Sequence, residues 1–302
     1  MGHRLTIFGT LSMNWLTDRF PRLPFFIQLM RLDKPVGIYL LLWPTLSALW
    51  IAGDGHPSLS NLIIFVLGVI LMRSAGCVIN DYADRHVDAH VARTQNRPLA
   101  QKVVSPRQAL ILFACLCACA FMLVLFTNEF TIYLSFGGLL LASLYPFMKR
   151  YTHLPQVVLG AAFAWAVPMA FAAEQNQLPD VVWLLYIATL TWTVAYDTQY
   201  AMVDRTDDLR IGVKSTAILF AEADKTIIGV LQAFTLVSWL LIATEIAAGW
   251  PLYIAIAISG GFFIYHQKLI KDRQREACFK AFLNNHWVGA CLFVGLLGHY
   301  SL

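Results

Sequence analysis

The stretch Leu62-Ile63-Ile64-Phe65-Val66-Leu67-Gly68-Val69-Ile70-Leu71-Met72-Arg73-Ser74-Ala75-Gly76-Cys77-Val78-Ile79 runs without a break into Asn80-Asp81-Tyr82-Ala83-Asp84-Arg85-His86-Val87-Asp88. Its first part has the length of a bilayer-crossing helix, which needs about 20 apolar residues. Its second part places carboxylates at the edge of hydrocarbon, where charge is costly and generally functional. The same order recurs further on. Val181–Tyr196 is apolar, and Asp197, Asp204, Asp207 and Asp208 follow. Oxygen-rich clusters of this kind hold Mg²⁺, which in turn commonly holds phosphate oxygens. Two such clusters in a lipid-embedded chain suggest an enzyme acting on a diphosphate with an apolar tail.

Composition agrees with a membrane protein. Of 302 residues, 58% are hydrophobic and 13% charged, against about 25% charged in a soluble domain. Mean hydropathy is +0.62. Nine candidate spans are legible, at 36–52, 62–80, 107–126, 130–147, 156–173, 181–203, 227–246, 250–267 and 284–301. No polar linker divides them, so the chain reads as one all-α membrane domain over 1–302, with a tail at 1–24. It also reads as a loose duplication, with halves at about 25–150 and 151–270 plus a ninth helix at 284–301. The six cysteines read as small core residues rather than as disulfides or metal ligands.

The connections alternate in charge. Of the 22 Lys and Arg residues, all but Arg73 fall in one set of segments: the N-terminus, 81–107, 148–155, 204–226 and 268–283. The opposite set, near 53–61, 127–129, 174–180 and 247–249, has none. The positive-inside rule puts the N-terminus and both acidic patches in the cytoplasm and the C-terminus outside. No cleavable signal peptide and no Arg/Ser-rich presequence precedes the first span, which points to a bacterial inner membrane with the C-terminus in the periplasm. No basic patch lies outside the membrane-flanking loops, which gives nucleic acid binding no support.

Residues at i, i+4 and i+8 share a helical face. If the helix continues past Asn80, then Asn80, Asp84 and Asp88 form one stripe. Arg73, two turns earlier, points the same way from deeper in the membrane. Asp204 and Asp208 repeat the i, i+4 spacing, with Asp197 two turns before. Like charges this close need a cation, and separated pairs on two helices suit Mg²⁺ completed by substrate phosphate and water. Asn80, Asp84, Asp88, Asp204 and Asp208 are therefore the candidate metal ligands. Arg93, Arg97, Lys149 and Lys214 are candidates for phosphate. Arg73 or Arg150 could bind an anionic co-substrate. Tyr145, Phe136, Trp165 and Tyr196 could offer ring faces to a cation, or simply pack. Asp197 could draw a proton or join the metal shell. His86 and His90, offset from the acidic stripe, read as solvent-facing.

These strings carry a resemblance. Asn80-x3-Asp84-x3-Asp88, Asp204-x3-Asp208 and Tyr145-x3-Lys149 resemble the signatures of the UbiA superfamily of intramembrane prenyltransferases. Arg31-Leu32-Asp33-Lys34-Pro35, Leu42-Trp43-Pro44-Thr45, Leu154-Pro155-Gln156-Val157-Val158-Leu159-Gly160, Tyr196 through Asp204, and Gly212-Val213-Lys214-Ser215-Thr216 extend the likeness over about residues 25–300. Thr206 departs from the pattern, where an acid would be usual. The resemblance implies nine transmembrane helices around a central cavity, capped on the cytoplasmic side by the two acidic loops. It also implies Mg²⁺-dependent transfer of a polyprenyl group from polyprenyl diphosphate to 4-hydroxybenzoate, ortho to its hydroxyl, with release of diphosphate, in ubiquinone biosynthesis. A superfamily member with another acceptor is one alternative. The other is a secondary transporter with buried acids, although transporter sites lie near the midplane on broken helices.

Overall fold

A computed structural model describes residues 19–302 apart from Ala92 and the side chain of His90. Among these residues there are helices and no strands. A short helix, α1 (Leu23–Leu29), leads to α2 (Val36–Ala52), α3 (Leu59–Asp84), α4 (Pro106–Val124) and α5 (Glu129–Tyr151). Two short helices, α6 (Pro155–Ala164) and α7 (Ala166–Gln175), follow, then α8 (Asp180–Ile211) and the single turn α9 (Thr216–Leu219). The chain finishes with α10 (Asp224–Glu245), α11 (Trp250–Ile270) and α12 (Arg275–Tyr300).

Local chemistry sets the boundaries. Ser105 and Gln108 form a reciprocal capping box ahead of α4, with Pro106 at its first position. The Asn128 side chain accepts from the Thr131 N–H at 2.9 Å and starts α5. Gly212, at φ +75°, ends α8 in the left-handed region that glycine tolerates. Each candidate span falls on helix. The segment at 156–173 is broken at Trp165, where α6 hands over to α7.

Six of the described helical stretches are long and apolar enough to cross a bilayer. The protein is a multi-pass membrane protein. The helices close a ring in chain order, with α12 returning to α2, while α8 packs against α6, α10 and α12. Where lipid replaces water, close packing rather than the hydrophobic effect holds helices together. Gly289 on α12 shows this: a Cβ there would meet Trp43 and Trp192 within 2.8 Å. Large apolar side chains such as Ile111, Met122, Phe126, Phe234 and Val294 point outward. So do Cys115 and Cys119, contrary to a core placement; only Cys77 and Cys278 are buried, and all six cysteines are free thiols. An α4 stripe that faces lipid accepts small polarisable residues as readily as a core does.

The connections without basic residues gather at one end. Glu174 accepts from the Ser58 N–H at 3.1 Å, Asn128 donates to the Ala172 carbonyl, and the Gly249 N–H donates to His299 near the C-terminus. The basic loops gather at the other end. There α3 and α8 outrun the membrane: 26 and 32 residues, at about 1.5 Å each, exceed a hydrocarbon core of about 30 Å. Their surplus turns carry the acids.

Candidate active site

Two cavities meet at the basic end. The larger, about 840 Å³, is bounded mostly by α2 to α7 and lined by apolar side chains, among them Phe121, Phe136, Leu139, Phe163, Trp165 and Met169. The smaller, about 140 Å³, is polar. Asn80, Asp84, Asp88, Asp197, Asp204 and Asp208 line it, together with Arg93, Arg97, Lys149 and Lys214. Asn80, Arg93, Arg97, Tyr145, Asp197 and Tyr200 belong to both walls and join the two spaces.

The acids of the first patch do not form the single helical stripe that their spacing suggests. α3 stops at Asp84, and Asp88 opens a separate 3₁₀ turn, Asp88–His90. The loop still folds Asp88 over the cavity. Thr94 Oγ1 donates to the Asp88 carbonyl at 2.9 Å, and Arg97 Nη1 donates to both Asp88 carboxylate oxygens at 2.9 and 3.0 Å. Lys149, one turn after the helix-internal Pro146 of α5, pairs with Asp84. Asn80 donates to Asp84 at 3.3 Å. The second patch stays helical throughout. Arg93 Nε donates to both Asp204 oxygens at 3.0 Å. The Arg93 guanidinium also contacts the Tyr200 hydroxyl and lies over that ring. Asp197 and Asp208 have no ion-pair partner among the described residues, whereas Asp207 turns outward to Arg275 at 3.1 Å.

Burial shapes the charges in the loop. It pushes the Asp88 carboxyl up to about 6, against the pull of Arg97. It also works against the Arg97 charge, but Asp81 and Asp88 more than offset it and raise the Arg97 pKa.

Arg73 projects into the larger cavity. Nη1 donates to Cys77 Sγ at 2.9 Å, the guanidinium lies 5.6 Å from the Phe163 ring centre, and Nε has no hydrogen-bond partner among the described residues. A Cβ on Gly37 would sit 2.6 Å from that guanidinium, so glycine there leaves room for it. Arg150 does not share this position. It is exposed, lines neither cavity and donates to the Ala83 carbonyl. One residue is about 100° around a helix, so with Lys149 facing inward Arg150 faces out. Phe136, Tyr145, Trp165 and Tyr196 all line the larger cavity. His86 is exposed as its offset suggests; the side chain of His90 lies outside the described residues. Arg31 and Asp81, which pair across the cavity rim, escape periodicity: Asp81 is one residue off the Asn80 face, and Arg31 is fifty residues away. Arg31 lies in the Arg31-to-Pro35 string and Asp81 in the acidic stretch, but no spacing links the two.

Among the described residues no three His, Cys, Asp or Glu side chains converge closely enough to hold a metal by themselves. The donor set is nonetheless all oxygen and arranged as pairs on opposite walls of one small cavity. That suits Mg²⁺, which takes one or two carboxylates and completes its shell with phosphate and water.

Residues 41–289 match the model of the UbiA prenyltransferase family. The chain is 60% identical over 291 residues to 4-hydroxybenzoate octaprenyltransferase of Pseudomonas syringae pv. syringae, covering 96% of this chain and 97% of that one. It is 61% identical over 276 residues to the enzyme of that name from Hahella chejuensis, covering 91% and 92%. In fold it is similar to the apo structure of a UbiA homologue from Aeropyrum pernix, with TM-score 0.76, 23% identity, and 87% and 97% of the two chains covered. It is also similar to a UbiA homologue from Archaeoglobus fulgidus bound to GPP and Mg²⁺, with TM-score 0.70, 17% identity, and 92% and 100% covered. The chain therefore belongs to the UbiA prenyltransferase family. It is a membrane-embedded prenyltransferase, which sets the transporter alternative aside.

Proposed function

We propose that this chain transfers a polyprenyl group, octaprenyl by the names of its relatives, from the diphosphate to 4-hydroxybenzoate. The new bond forms ortho to the hydroxyl, diphosphate leaves, and the product enters ubiquinone biosynthesis. The observation that carries the reading is the junction of a small polar cavity ringed by acids and cations with a large apolar one. A diphosphate fits the first and an isoprenoid tail the second. The acceptor is supplied by the relatives' names, and Arg73 supports it. An arginine in an apolar cavity without a carboxylate partner is costly, and an aromatic carboxylate would relieve that cost.

Asp84, Asp88, Asp204 and Asp208, with the Asn80 carbonyl, would hold Mg²⁺. The metal would offset charge growing on the departing diphosphate. Arg93, Arg97, Lys149 and Lys214 serve the same end by hydrogen bonding to its outer oxygens. The tail rests among Phe136, Leu139 and Trp165, which exclude water from an allylic cation. Tyr145 and Tyr196 present ring faces to that cation. Arg73 orients the acceptor through its carboxylate. Asp197, which lines both cavities and has no ion-pair partner among the described residues, would draw the phenol proton as the ring attacks, and the ortho carbon would then lose its own hydrogen as a proton to restore the aromatic ring.

We also read nine spans in one domain over 1–302, built as two halves plus α12. They lie in a bacterial inner membrane with the N-terminus cytoplasmic and the C-terminus periplasmic. The gathering of every basic loop at one end supports that orientation.

The test uses purified protein, Mg²⁺, radiolabelled 4-hydroxybenzoate and a polyprenyl diphosphate, followed by organic extraction. Label should enter the organic phase and EDTA should abolish it. No extractable label with active-site residues intact, or label insensitive to EDTA, would refute the reading.

A further inference from the structure

The cations around the polar cavity have two tasks. They neutralise the acids: Arg93 holds Asp204, Arg97 holds Asp88 and Lys149 holds Asp84. Those carboxylates are the groups proposed for Mg²⁺, and those cations are the groups proposed for phosphate. Filling the site therefore exchanges partners. A cation released from its carboxylate turns to the diphosphate while the carboxylate turns to the metal. A freed, flexible arginine would lose rotamer entropy again on binding phosphate, unless something else holds it in place.

Arg97 has such a holder. Its Nη1 lies 3.0 Å from Asp81 and 2.9 Å from Asp88. Asp81 is not in the polar cavity. It sits on α3 facing the rim of the apolar one, and its side chain is 2% exposed. A carboxylate this buried must be paired, and it is doubly so. Arg31 Nη2 reaches its two oxygens at 3.2 and 3.1 Å. Arg31 itself sits at φ +58°, a left-handed backbone that is unfavourable for a non-glycine residue. The same guanidinium donates to the Gln28 carbonyl at 3.2 Å. The result is a chain of alternating charge, Arg31–Asp81–Arg97–Asp88. It runs from the segment after α1, across α3, into the cap loop, and its last two members, Arg97 and Asp88, border the polar cavity.

We infer that Asp81 is a positioning residue: it keeps Arg97 at the junction of the two cavities when Asp88 exchanges Arg97 for metal. Arg97 then meets the diphosphate already oriented. This rests on the diphosphate reading above and adds a residue that does not itself touch metal or substrate.

Isothermal titration of the full-length protein in nanodiscs, with inorganic pyrophosphate in the presence of Mg²⁺, tests it without catalysis. Asp81→Asn should weaken pyrophosphate binding about 10-fold or more, the scale of one charge-assisted contact. Arg97→Gln should weaken it similarly. The double variant should be no weaker than Arg97→Gln alone, because Asp81 acts through Arg97. A general loosening of the fold would instead add to the Arg97→Gln effect. If Asp81→Asn does not insert stably, Asp81→Glu keeps the charge and should show a smaller loss that likewise vanishes in the Arg97→Gln background. Wild-type affinity in Asp81→Asn, or additive losses in the double variant, would overturn the inference alone. Failure of the wild type to bind pyrophosphate with Mg²⁺ would overturn it together with the diphosphate reading.

Discussion

The two acidic patches look like copies in sequence and are built differently. In the first, α3 ends at Asp84 and the chain turns back, so Asp81, Asp84 and Asp88 meet cations from α1's exit, α5 and the cap loop, with Arg97 shared between Asp81 and Asp88. In the second, α8 continues to Ile211, and its helical face sends Asp197, Asp204 and Asp208 into the cavity with one ion pair among them. The first patch is a folded loop held by charge. The second is an unbroken helix with two carboxylates that have no ion-pair partner among the described residues. Matched spacing on two segments thus specifies a shared site without requiring a shared local structure.

The largest test of that contrast removes one ligand from each side. Asp84→Asn and Asp204→Asn should each lower Mg²⁺-dependent transfer by about 10³-fold or more, since metal and charge stabilisation supply several kcal/mol. Both variants should remain in the membrane fraction. Near-normal turnover by both would remove the metal assignment.

Next comes the acceptor. Arg73→Gln should raise KM for 4-hydroxybenzoate by about 10- to 100-fold, the scale of losing one ionic partner to a buried carboxylate. KM for the prenyl diphosphate should stay level. Arg150→Gln should change neither by more than about 2-fold, as expected of an exposed side chain away from the site. Equal effects of the two would mean that the cavity walls are misassigned.

A subtler difference is in stability. Asp208→Asn breaks no ion pair and should weaken Mg²⁺ response with little change in melting temperature. Asp88→Asn leaves Arg97 short of a partner and should lower the melting temperature as well, because half of a buried pair is costly to keep. Matching thermal shifts would erase the distinction between loop and helix.

The smallest effect is in pH. With burial pushing the Asp88 carboxyl up to about 6, protons compete with Mg²⁺ as pH falls through that value. The Mg²⁺ concentration for half-maximal activity should rise as pH falls from about 7.5 to 5.5 in the wild type, and Asp88→Asn should remove only part of that rise, because burial also pushes the Asp208 carboxyl up, to about 7.

Much of this was legible in the chain. Apolar length located every helix that carries the site, because lipid leaves the backbone no other way to satisfy its hydrogen bonds. Helical spacing placed Asp197, Asp204 and Asp208 correctly, because α8 has no break. It failed after Asp84, where nothing local marks the end: no proline or glycine lies between Tyr82 and Ala92, and the turn is fixed by Arg97 and Thr94 from further along. It missed Asp81 and Arg31, because their pairing spans fifty residues and has no period. It could have rejected Arg150, whose angle to Lys149 follows from the helix alone.

The most direct measurement replaces Mg²⁺ with Mn²⁺ and records its paramagnetic resonance in nanodiscs with pyrophosphate. Two opposed carboxylate groups sharing metal with a phosphorylated ligand predict a bound signal with phosphorus hyperfine coupling, lost in Asp84→Asn and in Asp204→Asn alike. A bound signal that survives either substitution unchanged would contradict them.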